Sequence, residues 1–276
     1  MMFKYLGTAA AECWPALFCS CGNCTRAKKA GGRNIRSRSQ AVINEDFVID
    51  LPPDTYFHTV NYGLDLTKIR YIIFTHSHKD HFYMPDLHRT YPPYAYNENR
   101  ENIQKINIYG NASINSHSGE SESFEGILDF HEIFAFEKIK IGGYFVTPLP
   151  ADHDYSQKCF IYIIEEGKSK MLYAHDTGYF LDETWDYLKN NINGKKFDFI
   201  SLDATNGITE ERRGHMGTAA GIDVKNRLCE IGAASEKTVF CFNHFSHNGN
   251  KIYDELVPIA KKAGFLVSYD GMEIEI

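Results

Sequence analysis

Within Thr75-His76-Ser77-His78-Lys79-Asp80-His81, three imidazoles and one carboxylate occupy six consecutive positions. The apolar run Tyr71-Ile72-Ile73-Phe74 comes directly before them, so a strand is expected to end in a turn crowded with potential ligands. Neutral imidazole and carboxylate suit zinc, iron and manganese, and four such groups exceed what one ion takes from one loop. The chemistry this favours is hydrolysis at a two-metal site. Twelve histidines in 276 residues is a rich count, and a single histidine is usually a surface or hydrogen-bonded core residue. Four potential ligands after one strand are much harder to reach by chance.

One loop cannot close two coordination spheres, so further ligands must come from elsewhere in the chain. His153 follows Val146-Thr147-Pro148-Leu149-Pro150, Asp176 follows Met171-Leu172-Tyr173-Ala174-His175, and His244 follows Thr238-Val239-Phe240-Cys241-Phe242-Asn243. Each repeats the arrangement of the first motif: an apolar strand with a ligand at its end. A second cluster, Cys19-Ser20-Cys21-Gly22-Asn23-Cys24, places three thiols in six residues. It reads as a structural zinc knuckle lacking a fourth ligand, with a redox pair or chance clustering as the alternative. His247, three residues past His244, is a candidate to complete a Cys3His site. His215, in Arg213-Gly214-His215-Met216-Gly217, precedes a helical stretch and could be a proton donor or a surface cap. Arg212 and Arg213 beside it are candidate bidentate phosphate donors or simply solvated charges.

The elements that must position these groups are legible as β-rich runs alternating with turns. Strands are expected over Phe3–Gly7, Ser39–Asn44, Phe47–Asp50, Ile69–Thr75, Lys105–Tyr109, Leu128–Ile133, Lys138–Ile141, Tyr144–Leu149, Cys159–Glu165 and Lys170–His175. Asp80 onward is expected to open a helix, and the Pro- and Tyr-rich segment from about 83 to 105 reads as an irregular insertion near the metal loop. Helices over Leu181–Asn191, Gly217–Ile231 and Tyr253–Ala263 alternate with strands over Phe197–Asp203, Thr238–Asn243 and the closing Phe265–Ile276. Without a linker or low-complexity segment, residues 1–276 are expected to form one layered domain.

Bulk composition is that of an ordinary globular chain, 43% hydrophobic and 24% charged. A net charge of −7 argues against a general nucleic-acid footprint, but two cations would still let the site take an anionic substrate. Residues 1–17 lack a basic start followed by a long apolar stretch, and no run has the length of a membrane span. The expected compartment is the cytoplasm, where the seven cysteines would be reduced or metal-bound.

The pattern His76-x-His78-x-Asp80-His81, then His153, then Asp176 in Asp-Thr-Gly, then His244 resembles the metallo-β-lactamase superfamily. The resemblance implies an αββα sandwich with two sheets inside and helices outside. It implies one metal on His76, His78 and His153, a second on Asp80, His81 and His244, and Asp176 bridging them. Asp50, in Val48-Ile49-Asp50, matches the aspartate that stands behind the ligands in that superfamily. Adding Cys19, Cys21, Cys24 and His247 as one structural zinc site makes the chain similar to the phosphoribosyl cyclic phosphodiesterase branch, of the carbon–phosphorus lyase pathway. That branch implies His215 as catalytic acid or phosphate contact, with Asp80 as the other catalytic group. The expected cofactors are two active-site divalent ions, zinc or manganese, and one structural zinc.

The expected reaction is therefore hydrolysis of a small (cyclic) phosphodiester by a metal-activated hydroxide, with a homodimer left open. Rivals within the same fold are an RNA-processing nuclease, a lactonase and a thioesterase. The nuclease needs a long basic arm, which the sequence does not display. From a different class, a metal-binding scaffold without turnover would keep the ligands and lack hydrolysis. A diiron redox protein is disfavoured because that branch has Glu where this chain has His78.

Overall fold

The strands alternate their apolar residues between two faces, and both faces are buried. In the computed structural model, which describes residues 1–96, 105–117, 126–191 and 194–276, these strands form two sheets of seven. The first runs in the order β14 (Glu273–Glu275), β1 (Met2–Gly7), β2 (Gln40–Ile43), β3 (Phe47–Ile49), β4 (Tyr71–Ile73), β5 (Ile106–Gly110), β6 (Leu128–Glu132). The second runs β13 (Leu266–Val267), β12 (Val239–Asn243), β11 (Phe199–Asp203), β10 (Ser169–Ala174), β9 (Phe160–Glu166), β8 (Tyr144–Pro150), β7 (Ile139–Ile141).

Three buried clusters establish the layering. Phe47, Ile49 and Ile73 from the first sheet meet Phe160, Tyr162, Met171 and Tyr173 from the second between the sheets. The intervening residues point outward. Val48 and Ile72 join a cluster with Leu87 of α3 (Met84–Leu87) and Ile114 of α4 (Ala112–Asn115). Leu172, Ala174, Ile200 and Leu202 join another with residues of α1 (Gly22–Ala30), α5 (Asp182–Asn190), α6 (Thr218–Glu230) and α7 (Tyr253–Lys262). Strand side chains repeat every second residue, so burial on both faces requires cover on both sides, and the result is helix, sheet, sheet, helix. Each large apolar side chain so buried stabilises the fold by roughly 1.5–3 kcal/mol. Close approach is enforced where α6 crosses β12: a Cβ on Gly221 would lie 2.5 Å from the Phe242 ring.

Register decides where the ligands emerge. β3 and β4 are parallel with Ile49 opposite Ile73, and β10, β11 and β12 are parallel with Ala174, Leu202 and Phe242 aligned. Parallel strands end on the same edge, so the residues just past these ends share one rim, the usual place for a ligand site. The N–H of Phe160 donates to the Thr75 carbonyl at 2.9 Å and joins the rims of the two sheets.

Three local expectations change. Asp80 does not open a helix. The N–H groups of His81 and Phe82 both donate to the His78 carbonyl (2.9 and 2.7 Å), which closes a turn. Helix α3 starts later, where Pro85 fixes its first turn. Three helices go beyond the sequence reading: α1, which continues directly from the cysteines, α2 (Thr55–Tyr62), stopped by Gly63 in the left-handed conformation at φ 71°, and the short α4. The expected insertion at 83–105 contains α3 and turns as far as 96, and its remainder at 97–104 lies outside the described residues. Among the described residues no helix is long and apolar enough to cross a membrane.

Candidate metal centre

The turn after β4 and the loop after β8 bring three imidazoles together. His76 Nε2 lies 2.8 Å from His78 Nδ1, and His153 Nε2 lies 3.4 Å from the same atom. The back of each ring is held by an acceptor. Thr75 Oγ1 is 3.0 Å from His76 Nδ1, Asp154 Oδ2 is 3.0 Å from His78 Nε2, and the Gly214 carbonyl is 3.2 Å from His153 Nδ1. A ring whose far nitrogen carries the proton turns a lone pair inward. Three such lone pairs facing one another are complementary to a cation.

A second group lies beside the first. His81 Nε2 is 3.3 Å from Asp80 Oδ2 and 3.1 Å from Asp176 Oδ2, and His244 Nε2 is 3.0 Å from the same Asp176 oxygen. The other Asp176 oxygen, Oδ1, faces His153 Nε2 at 3.8 Å. One carboxylate therefore spans both groups. Burial works against its charge, but His244 and His81 outweigh that and hold the Asp176 carboxyl well below the ordinary range. Burial also pushes His76 well below the usual imidazole value, so its inward nitrogen is unprotonated.

The chemistry of this donor set can be tested against a metal directly. His81 Nε2, Asp176 Oδ2 and His244 Nε2 are buried and, although each nitrogen lies 3.0–3.1 Å from that oxygen, they form no well-directed hydrogen bond. Leaving a buried polar atom unsatisfied costs about 1–3 kcal/mol, yet all three face one spot. A divalent ion satisfies them together, and the set of imidazoles with carboxylates fits zinc or manganese.

The supports behind the second group are equally ordered. Asp50 Oδ2 accepts from His81 Nδ1 at 2.8 Å while Oδ1 accepts from the Thr75 N–H at 2.9 Å. Thr205 Oγ1 lies 2.8 Å from His244 Nδ1. Asp50, Asp176 and His244 all take positive φ (64°, 49° and 62°), a backbone conformation uncommon for such residues. Their concentration at one rim marks it as a site where backbone ease is given up for side-chain direction.

His215 stands at the edge of the same centre, its ring centroid 4.8 Å from that of His153. Its Nδ1 is 3.0 Å from Asp203 Oδ2. Burial opposes its charge, but the Asp203 carboxylate prevails and raises it to about 9. Asp203 also accepts from the N–H groups of Thr205 (2.9 Å) and Met216 (3.1 Å), so it fixes both loops. The arginines are not brought to the centre. Arg212 pairs with Asp223, while Arg213 bonds Asp152 (3.1 Å) and the Tyr155 hydroxyl (2.5 Å). His175 also turns away, with Nε2 on Ser201 Oγ at 2.7 Å and Nδ1 beside the Asn243 amide at 3.2 Å.

A cavity of about 260 Å³ opens onto His78, Asp80, His153, Asp176, His215 and His244. The rest of its wall comes from Ala10, Ala11 and Glu12 of the loop after β1, with Thr205, Asn206, Ser246 and Asn248. Gly207 brings the last two loops together: at φ 50°, a Cβ there would lie 2.2 Å from the Gly249 carbonyl oxygen.

Near this wall, Cys19, Cys21, Cys24 and His247 place one ligand atom each within 4.8 Å of one another. His247 Nδ1 is 3.4 Å from Cys21 Sγ and 3.6 Å from Cys19 Sγ. Backbone N–H groups of Ala16 and Cys24 point at Cys24 Sγ and Cys21 Sγ (3.3 and 3.4 Å). The bond from the Cys24 N–H, followed by that with His247, lowers the Cys21 thiol to about 6. All seven cysteines are unpaired. Sequence reasoning had overlooked Asp154, Asp203, Thr205 and Glu12. Only Asp203 carried a clear sign, an apolar strand ending in Asp like that before Asp50.

Two stacked seven-stranded sheets with histidine and aspartate donors along one rim define a metallo-β-lactamase fold. The chain belongs to the β-lactamase superfamily, whose domain model matches residues 48–244. No curated protein matches the sequence. Among solved structures, zinc-bound PqqB from Methylobacterium extorquens is similar at a TM-score of 0.70 and 16% identity, covering 100% of both chains. A diphosphatase from the PhnP family reaches 0.70 and 19% identity, covering 100% of this chain and 96% of the other. The short form of human tRNase Z reaches 0.64 and 16%, covering 100% and 99%. At these identities the likeness concerns the fold.

Proposed function

We propose that the chain is a metal-dependent hydrolase of small phosphodiesters, cyclic ones among them. In this reading His76, His78 and His153 hold one divalent ion, Asp80, His81 and His244 hold a second, and Asp176 bridges the two. Cys19, Cys21, Cys24 and His247 hold a structural zinc. The observation that carries the reading is Asp176, whose two oxygens address different histidine groups while its Oδ2 is buried without a well-directed hydrogen bond. The site ions are zinc or manganese, whereas thiolates select zinc at the cysteines.

Divalent ions bound there would supply a hydroxide near neutral pH and neutralise phosphate charge. The residues themselves account for the rest. Asp50, Thr75, Thr205 and Asp154 fix ring orientation by accepting from the far nitrogens or standing beside them. His215 lines the cavity with Nδ1 committed to Asp203, which leaves Nε2 as the nitrogen available to a departing alkoxide. Asp80 lines the same cavity with its Oδ2 3.3 Å from His81 Nε2, where it would add negative charge beside a bound ion. The phosphate-contact role expected of Arg212 and Arg213 is not carried forward, because both are engaged elsewhere. The unpaired cysteines are consistent with a cytoplasmic location.

The test is hydrolysis by the metal-reconstituted protein of bis(p-nitrophenyl) phosphate and cyclic ribose phosphates, against a lactone and a thioester. Metal-dependent cleavage confined to the phosphodiesters supports the reading. Inert phosphodiesters with a cleaved lactone or thioester would overturn it, and retained metal without any hydrolysis would favour the scaffold.

A further inference from the structure

The cavity at the candidate metal centre has an unusual lining for a phosphate pocket. Besides the histidines and aspartates, its lining includes Glu12, Asn206, Ser246 and Asn248, and among the described residues no lysine or arginine lines the cavity. Glu12 is held in place from two sides. The loop bearing it is bridged to the loop after His244, through the Ala10 N–H on the Phe245 carbonyl (3.0 Å) and the Phe245 N–H on the Thr8 carbonyl (2.9 Å). Its Oε1 accepts from the Ser246 hydroxyl and lies 3.7 Å from His247 Nε2. The cysteine cluster that shares His247 tethers the downstream end of the same loop. A carboxylate braced in this way at the edge of a cavity has a fixed direction, which is what a discriminating group needs.

Resting on the hydrolase reading above, we infer that Glu12 is a specificity residue that selects a singly charged phosphodiester carrying neutral hydroxyls and excludes a substrate with a second phosphate. The metal pole and His215 accommodate one phosphoryl group. The remainder of the ligand then lies against a carboxylate and amides, which accept hydrogen bonds from sugar hydroxyls and offer no cation to another phosphate. A cavity of about 260 Å³ keeps a second phosphate close to the Glu12 carboxylate. At an effective dielectric of about 20, that repulsion lowers affinity on the order of tenfold to a hundredfold.

The experiment compares wild type with Glu12→Gln, an isostere that keeps an acceptor for Ser246, after checking that zinc content is retained. Two readouts are taken on metal-loaded protein: kcat/KM for ribose 1,2-cyclic phosphate and its 5-phosphorylated counterpart, and calorimetric Kd for ribose 1-phosphate and ribose 1,5-bisphosphate. Wild type is expected to favour the singly phosphorylated member of each pair by at least tenfold, and the variant to lose most of that preference. Equal use or binding of both members by wild type, or an unchanged ratio in the variant, overturns the inference. If neither cyclic ester is cleaved but the Kd ratio collapses in the variant, the hydrolase reading falls while the role of Glu12 stands.

Discussion

Replacing Asp50 by Asn separates the positioning of His81 from the stability of the fold. Asp50 is fully buried and accepts from His81 Nδ1 at 2.8 Å, from the Thr75 N–H at 2.9 Å and from the Thr75 hydroxyl at 3.1 Å. The Asn carbonyl can still accept from Thr75, but its amide must donate toward His81. That reverses the imidazole: Nδ1 becomes the acceptor and the proton moves to Nε2, the atom that faces Asp176 and Asp80. A protonated Nε2 cannot bind a cation. Loss of a partner behind a metal-binding histidine typically weakens affinity 10–100-fold, equivalent to about 1.4–2.7 kcal/mol. The backbone retains its bond, so unfolding should cost only about 1 kcal/mol less, a drop in Tm of roughly 2–4 °C. Competition with a chromogenic chelator reads the affinity and calorimetry reads Tm. An affinity within twofold of wild type would refute the tautomer argument, as would a large fall in Tm with affinity preserved.

Further outcomes are expected. His215→Ala should lower kcat about 10²–10⁴-fold while metal stoichiometry stays unchanged, measured by steady-state kinetics and elemental analysis; loss of an ion would make His215 a ligand instead. Cys21→Ser should remove one zinc and lower Tm on the order of 10 °C, and full retention of zinc would contradict the structural site. Burial, against the lowering by bonds from Ser37 and Thr8, raises the Asp270 carboxyl to about 6. Its folded value lies above the unfolded one, so its stabilising contribution is complete below pH about 4 and is lost as pH rises through about 6. The unfolding free energy of wild type relative to Asp270→Asn should therefore fall by about 2 kcal/mol between pH 4 and pH 7, in denaturant titrations with chelator present. A difference independent of pH would contradict that sign.

The histidine-rich loop was legible because its potential ligands are dense and follow a strand, and strand ends carrying His153, Asp176 and His244 repeat that arrangement. The cysteine cluster with His247 was legible for the same reason of spacing. Glu12 was not, since a lone carboxylate in a loop gains meaning only when that loop is bridged to Phe245 some 230 residues away. Helix α2 was missed because Thr55-Tyr56-Phe57-His58-Thr59-Val60 is rich in residues that favour strands. What makes it helical is tertiary: His58 turns inward to bond Ser37 Oγ and Gln40 Oε1 (2.7 and 2.6 Å). The arginines next to His215 looked suited to phosphate by residue type alone. Their direction depends on Asp152 and Asp223, which no local pattern connects to them.

Anomalous diffraction from crystals of the reconstituted protein measures the central claim most directly. The account predicts two ions about 3.5–4 Å apart flanking Asp176 and a third among Cys19, Cys21, Cys24 and His247. A lone ion contacting neither Asp176 nor His81, or no ordered ion at the histidines after reconstitution, would contradict it.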